Sequence, residues 1–281
     1  MDPSGYSYVA HGAGSESSYR NNLEVFSRFR FHPQVMVNIT GIDASLKTSI
    51  LGRGFDVPFF ISPFASAGIT NETSERGLSS QTTTLPMKKI SSFRSKNQVL
   101  WQQVSLSNLD DGLPRDMFKS IESTGMNAIV LTVDSAGDRT AYRPLRRLKD
   151  TSISRDPRYT LMTWDYYTEL QSATSLPIIP KGIRTVEDAR EAIEPRGRSL
   201  DGLPSALEVA WEIHQRDLSI FEEIKVYADG GVRYGTDVLK LLALGVFTAG
   251  ISRAMSLLTN EITSAGANLG LASIKDINAT Y

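Results

Sequence analysis

Short apolar runs alternate with amphipathic stretches along most of this chain, the pattern of a parallel sheet whose strands are joined by crossover helices. Enrichment in β-branched and aromatic residues marks seven strand candidates: Val57–Ser62, Met87–Ser91, Val99–Val104, Ala128–Val133, Leu176–Lys181, Ile224–Asp229 and Phe247–Ser252. Between them, Asp116–Thr124 and Val186–Ile193 carry apolar residues on one face and charges on the other. A further helix is predicted over Thr236–Leu244, opening on a capping residue type and stopping at Gly245. The 281 residues suffice for one large α/β barrel or two small domains.

Ser62, Ser91, Thr132, Lys181 and Asp229 stand at or near the C-terminal ends of these strands. Polar residues can simply terminate strands, but the C-terminal ends of successive parallel strands are where a barrel places its chemistry. Five in succession favour a ligand face. The long segment Ala136–Pro157, rich in Arg, Asp and Ser, reads as a surface loop able to serve as a lid.

The segment Tyr227–Asp237, YADGGVRYGTD, lies between a strand and a helix. Adjacent glycines let the backbone approach a ligand and present N–H donors, Arg233 supplies a charged fork, and the helix starting near Thr236 would add its positive end. The next strand candidate runs into GISR, Gly250–Arg253, a second wall with a second guanidinium. Together the two segments point to a bound phosphate.

Composition excludes several chemistries. Thirty basic against 31 acidic residues leave a net charge of −1, which argues against a nucleic-acid partner or an anionic membrane as the main target. The absence of cysteine removes disulfides, thiolate nucleophiles, zinc–thiolate sites and iron–sulfur clusters. The three histidines, His11, His32 and His214, lack metal-ligand spacing, so no metal site is expected. No apolar run approaches the ~20 residues of a membrane span. The opening MDPSGYSYVAHG lacks the segments of a secretory signal, and the C-terminus carries no peroxisomal address, so a cytoplasmic protein is expected.

DGGVR-x-GTDVLK-x-LALG followed by GISR resembles the phosphate segment of the FMN-dependent 2-hydroxy-acid oxidases and dehydrogenases, the family of glycolate and lactate oxidases. The resemblance covers nearly the whole chain. HGAGSESSYRNNLEVFSRFRFHPQVM is similar to the family's opening segment, ILGRGFDVPFFISPFA to its first barrel strand, and LTVD to its fourth. TWDYYTELQSATSLPIIPKGIRTVEDAREAI is similar to the fifth strand with its flanking helices. The resemblance implies a (β/α)8-type barrel in one domain, with residues 1–56 as an N-terminal segment and 57–281 as the barrel. It also implies FMN as cofactor and a small 2-hydroxy acid oxidised to the keto acid.

By matched motif, the resemblance places Tyr8 at the substrate and the backbone of Pro63, Phe64 and Ala65 along the flavin. Ser91, Gln103 and Thr132 match flavin-contacting residues, and Lys181 matches the lysine that stabilises negative charge on reduced flavin. Arg139 and Arg198 match the arginines at the substrate carboxylate. Asp229, Gly230, Gly231, Arg233, Ser252 and Arg253 match the ribityl and phosphate segment, with Ser252 replacing a glycine. For the remaining arginines of these loops, Arg143, Arg146, Arg147 and Arg196, solvated charge is the simpler account.

Two departures bear on chemistry. IEPRGRSLD puts Pro195 where the family carries its catalytic histidine, and the apolar strand that should hold that histidine, the sixth, is missing. Ser105 stands where a second substrate tyrosine is expected. Proline cannot take a proton, and general-base catalysis is worth roughly a hundred- to ten-thousand-fold. His11, near Tyr8, is the candidate replacement. The alternative to an active oxidoreductase is a catalytically impaired flavin-binding relative or a truncated gene product. A lost strand also exposes sheet edges, which oligomerisation would cover.

Overall fold

The computed structural model describes residues 10–63, 98–106, 112–134, 162–193, 204–249 and 255–281. In chain order its elements are α1 (Ser17–Glu24), β1 (Thr48–Ile50), β2 (Arg53–Phe55), β3 (Phe59–Phe60), β4 (Trp101–Ser105), α2 (Arg115–Ser123) and β5 (Ala128–Thr132). There follow α3 (Trp164–Gln171), β6 (Ile178–Lys181), α4 (Val186–Ile193), α5 (Ala206–Arg216), α6 (Ile220–Glu223), β7 (Tyr227–Ala228), α7 (Gly235–Ala243), β8 (Phe247–Ala249) and α8 (Met255–Asn268). Two compact units result: Met1–Glu16 with Pro63–Ile183 and Arg190–Arg198, and Ser17–Ser62 with Arg184–Ala189 and Ser199–Tyr281.

The first unit holds a parallel sheet in the order β4-β5-β6. All five residues of β5 are buried, as expected of the apolar run AIVLT in a strand covered on both faces. Register places Gln103 beside Val130 and Ile179, and Ser105 beside Thr132 and Lys181. Side chains in these two rows share a face, because orientation alternates along a strand. Of the opposite orientation, Val104, Ile129, Leu131 and Ile178 pack with Phe118 and Ile121 of α2 and Tyr167 and Leu170 of α3. The turn before β6 is held by Glu122, whose carboxylate accepts from Thr174 Oγ1 at 2.6 Å and the Ser175 N–H at 2.8 Å. Those hydrogen bonds lower the Glu122 pKa.

The second unit holds a parallel sheet in the order β3-β8-β7. Phe59 pairs with Thr248, and Tyr227 with Phe247, so an early parallel strand is bonded to the last one. One apolar cluster joins Phe59 to Val238, Leu239, Leu258 and Ile262 of α7 and α8. Another joins Val25 and Phe26 to Leu207 and Ala210 of α5 and to Leu241 and Val246. β1 and β2 form an antiparallel hairpin around Leu51 and Gly52, with φ of 48° and 73°. Two positive φ angles in a two-residue loop give the turn whose twist suits a hairpin.

The expected α/β architecture with parallel strands is present. Five strand candidates fall on observed strands with changed bounds: Phe59–Phe60 for 57–62, Trp101–Ser105 for 99–104, Ile178–Lys181 for 176–181, Tyr227–Ala228 for 224–229, and Phe247–Ala249 for 247–252, of which 250–252 lie outside the described residues. Ala128–Thr132 lacks only the expected Val133, and Met87–Ser91 lies outside the described residues. Residues 194–203, on which the expected loss of a sixth strand bears, also lie outside them. Among the described residues no strand stands between β6 and β7.

Candidate functional site

At the end of the first unit's sheet, the Gln103 amide donates from Nε2 to Thr132 Oγ1 at 2.7 Å and more weakly to Ser105 Oγ at 3.4 Å. Thr132 is buried, while Gln103 and Lys181 are half-buried. The chain then turns sharply. Gly182 has φ 114°, and a Cβ there would sit 2.4 Å from Asp134 Cγ. The Val133 N–H also donates to the Lys181 carbonyl at 2.9 Å. The TVD and KG motifs are thus pressed together, which fixes the backbone at Lys181. An amide, a hydroxyl and an ammonium on adjacent strands can hold and polarise a ring with carbonyl and imide groups.

At the end of the second unit's sheet, Ser62 Oγ donates to Asp229 Oδ2 at 2.5 Å. Gly230 and Gly231 follow with φ of 94° and 77°. A Cβ on Gly231 would lie 2.0 Å from the Asn22 carbonyl oxygen, so this turn passes directly against α1. Arg233 is exposed beside it, with no ion pair among the described residues.

The start of α7 is different from the sequence expectation. Its helix begins at Gly235, and Asp237 Oδ2 accepts the Arg233 and Tyr234 N–H groups at 3.1 Å each. Glu261 Oε2 accepts the Gly235 N–H at 2.7 Å. Two carboxylates therefore already occupy the donors and offset the positive helix end. Within the second unit, positive-φ glycines and an arginine are groups that suit a phosphate, and the Asp229 carboxylate suits polyol hydroxyls. Within the first, the Gln103–Thr132–Lys181 set suits a ring such as that of FMN.

Tyr8, Phe64, Ala65, Ser91, Arg139, Pro195, Arg198, Ser252 and Arg253 lie outside the described residues. Pro63 directly follows Ser62 and is half-buried. Gln103, Thr132 and Lys181 are brought together in the first unit, and Asp229, Gly230, Gly231 and Arg233 in the second. Ser105, at the end of β4 in the first unit, is exposed. His11 is half-buried, and His32 is exposed with its backbone N–H donating to the Tyr281 carbonyl. His214 lies between Trp211 and Phe221, with ring centroids 6.3 Å from each. Sequence reasoning missed the Ser62–Asp229 bond, Asp134 under Gly182, and the Glu261 cap. Only Asp237, three residues after the N-cap, carried a local signal. Among the described residues no group of three or more His, Asp or Glu could hold a metal ion, and no helix is long and apolar enough to cross a membrane.

Each of the two units thus carries polar groups at the end of its own parallel sheet, where ligand-binding α/β proteins place them. The chain belongs to the FMN-dependent dehydrogenase family, whose model matches residues 1–160 and 148–281. FMN is accordingly its cofactor, and oxidation–reduction its class of reaction. It is 29% identical to the L-lactate dehydrogenase (cytochrome) of Saccharomyces cerevisiae over 97% of this chain and 56% of that protein. It is 26% identical to the L-lactate oxidase of Nostoc over 98% of this chain and 92% of that one. The first of these aligned spans runs to 341 residues, so the relative carries internal segments that this 281-residue chain lacks. A flavocytochrome b2 mutant solved with pyruvate bound matches with a TM-score of 0.84 and 26% identity, covering 100% of this chain and 82% of that one.

Proposed function

We propose that this protein oxidises a small 2-hydroxy acid to its 2-keto product, with FMN as hydride acceptor. The observation that supports it best is the Gln103–Thr132 hydrogen bond in register with Lys181, a polar set with no structural need at the end of an otherwise apolar strand. Lys181 supplies positive charge for the flavin ring, Gln103 orients it through Thr132, and Gly230, Gly231 and Arg233 hold the phosphate. Tyr8 contacts the substrate, Arg139 and Arg198 orient its carboxylate, and no base is assigned at the family's histidine position, where Pro195 stands. The strand order β3-β8-β7, joining early to last, supports a (β/α) barrel short of its sixth strand as the architecture of one domain. A cytoplasmic setting and self-association that covers the open strand edges complete the reading.

The test is anaerobic addition of glycolate, lactate, mandelate and longer 2-hydroxy acids to the purified yellow protein. Bleaching of the visible flavin bands by any of them supports the activity. Flavin that stays oxidised with all of them overturns it.

A further inference from the structure

Ser62 and Asp229 follow the two outer strands of a three-stranded sheet, β3 and β7, with β8 between them. Next-nearest strands lie about 9.6 Å apart, twice the ordinary spacing. The 2.5 Å hydrogen bond from Ser62 Oγ to Asp229 Oδ2 therefore ties together the ends of two strands that do not pair with each other. A hydroxyl donor on a carboxylate makes a strong, directional bond. It fixes the rotamer of a side chain whose own backbone leads into the positive-φ pair Gly230 and Gly231. One Asp229 oxygen accepts from Ser62, and an ionised carboxylate has about four acceptor positions in all.

We infer that Ser62 is a positioning residue for the cofactor's polyol chain, acting through Asp229. The inference rests on FMN binding as proposed above and deepens it: the carboxylate recognises ribityl hydroxyls only while Ser62 holds it in place. Ser62 needs no contact with the flavin. Its sequence neighbourhood, the end of a strand nearly 170 residues before Asp229, gives it no local reason to be a hydroxyl residue.

The experiment compares three flavins on apoprotein prepared from the purified holoprotein: FMN, riboflavin, and lumiflavin, which lacks the ribityl chain. Binding is read by quenching of flavin fluorescence. In Ser62→Ala, FMN and riboflavin affinity should fall roughly tenfold, the order expected for a bond to a charged group, and lumiflavin affinity should hold. Ser62→Thr should restore the loss. In the Asp229→Asn background, Ser62→Ala should add little. Equal weakening of all three flavins would mean general loosening of the sheet and would overturn the positioning role. So would wild-type FMN affinity in Ser62→Ala. If the wild-type protein binds none of the three, the FMN reading itself fails and takes this inference with it.

Discussion

Gln103 and Thr132 are hydrogen-bonded side chain to side chain at 2.7 Å across adjacent parallel strands, with Thr132 buried and in register with Lys181. A buried threonine hydroxyl with an amide donor is a poor choice for packing alone, since valine would fill the same volume without polar groups to satisfy. Thr132→Val should therefore preserve folding, with a thermal midpoint close to wild type, and release Gln103 to wander. FMN affinity is expected to fall about tenfold for the lost orientation. Equilibrium dialysis of FMN beside a thermal melt checks both. A variant that loses stability and keeps its flavin would place the pair in the scaffold instead.

The backbone directly after Lys181 is set by the close passage of Gly182 over Asp134. A fixed cation beside the flavin favours the reduced, more negative ring. Lys181→Met should lower the two-electron potential by about 30 mV or more, the equivalent of ~1.4 kcal/mol, and Lys181→Arg should retain most of it. Redox titration against an indicator dye decides the matter. An unchanged potential in the methionine variant would remove Lys181 from the flavin.

Gly231 combines φ 77° with a space already taken by the Asn22 carbonyl oxygen, 2.0 Å from where a Cβ would be. Gly231→Ala must displace α1 as well as strain the backbone, and is expected to lose about 2 kcal/mol or more in urea unfolding. Gly54→Ala provides the contrast, because nothing lies within 4 Å of its added methyl. That change should fall within ~0.5 kcal/mol of wild type, as surface substitutions usually do.

Ser205 and Glu208 form a capping box at α5, and Glu208 also accepts from Asn21 Nδ2 at 2.7 Å, tying α1 to that helix. Burial pushes the Glu208 carboxyl up, but hydrogen bonds from Ser205 and Asn21 and the charge of Arg28 outweigh it and leave the carboxyl below its ordinary value. The stabilisation is therefore complete above the unfolded value, about 4.3, and fades as the pH falls through the lower folded value. Glu208→Ala should cost about 1 kcal/mol at pH 7, and progressively less as the pH drops below ~4. Urea midpoints at the two pH values test this, and a difference that grows in acid would contradict it.

The sequence made the buried strands legible where chemistry and burial coincide. AIVLT is apolar on both faces and was located to within one residue. Strands β3 and β7 came out shorter than the apolar runs that contain them, because run length reports burial and not pairing. Helix α1, SSYRNNLE, escaped notice: its residues are mostly polar, and it is held by Asn21 and Asn22 against distant segments. The hairpin of β1 and β2 hid behind Leu51, a residue rarely found at positive φ. Thr236 looked like the cap of α7, but Asp237 performs that work from inside the helix. The remaining contacts of the site, Ser62 with Asp229 and Glu261 with Gly235, join positions far apart in sequence and leave no local trace.

The pairing of Phe59 with Thr248 also dictates when this protein can finish folding. Its partners are roughly 190 positions apart, so the hydrogen-bonding edge of β3 stays open through most of synthesis, and such distant closures are slow. The sheet β4-β5-β6, whose strands pair in the order they are made, carries no such delay. A nascent chain will therefore carry an apolar Phe59–Phe60 edge, ready to pair with a neighbour, until β8 is made. Yield at high expression should be governed by that interval more than by the stability of the finished molecule.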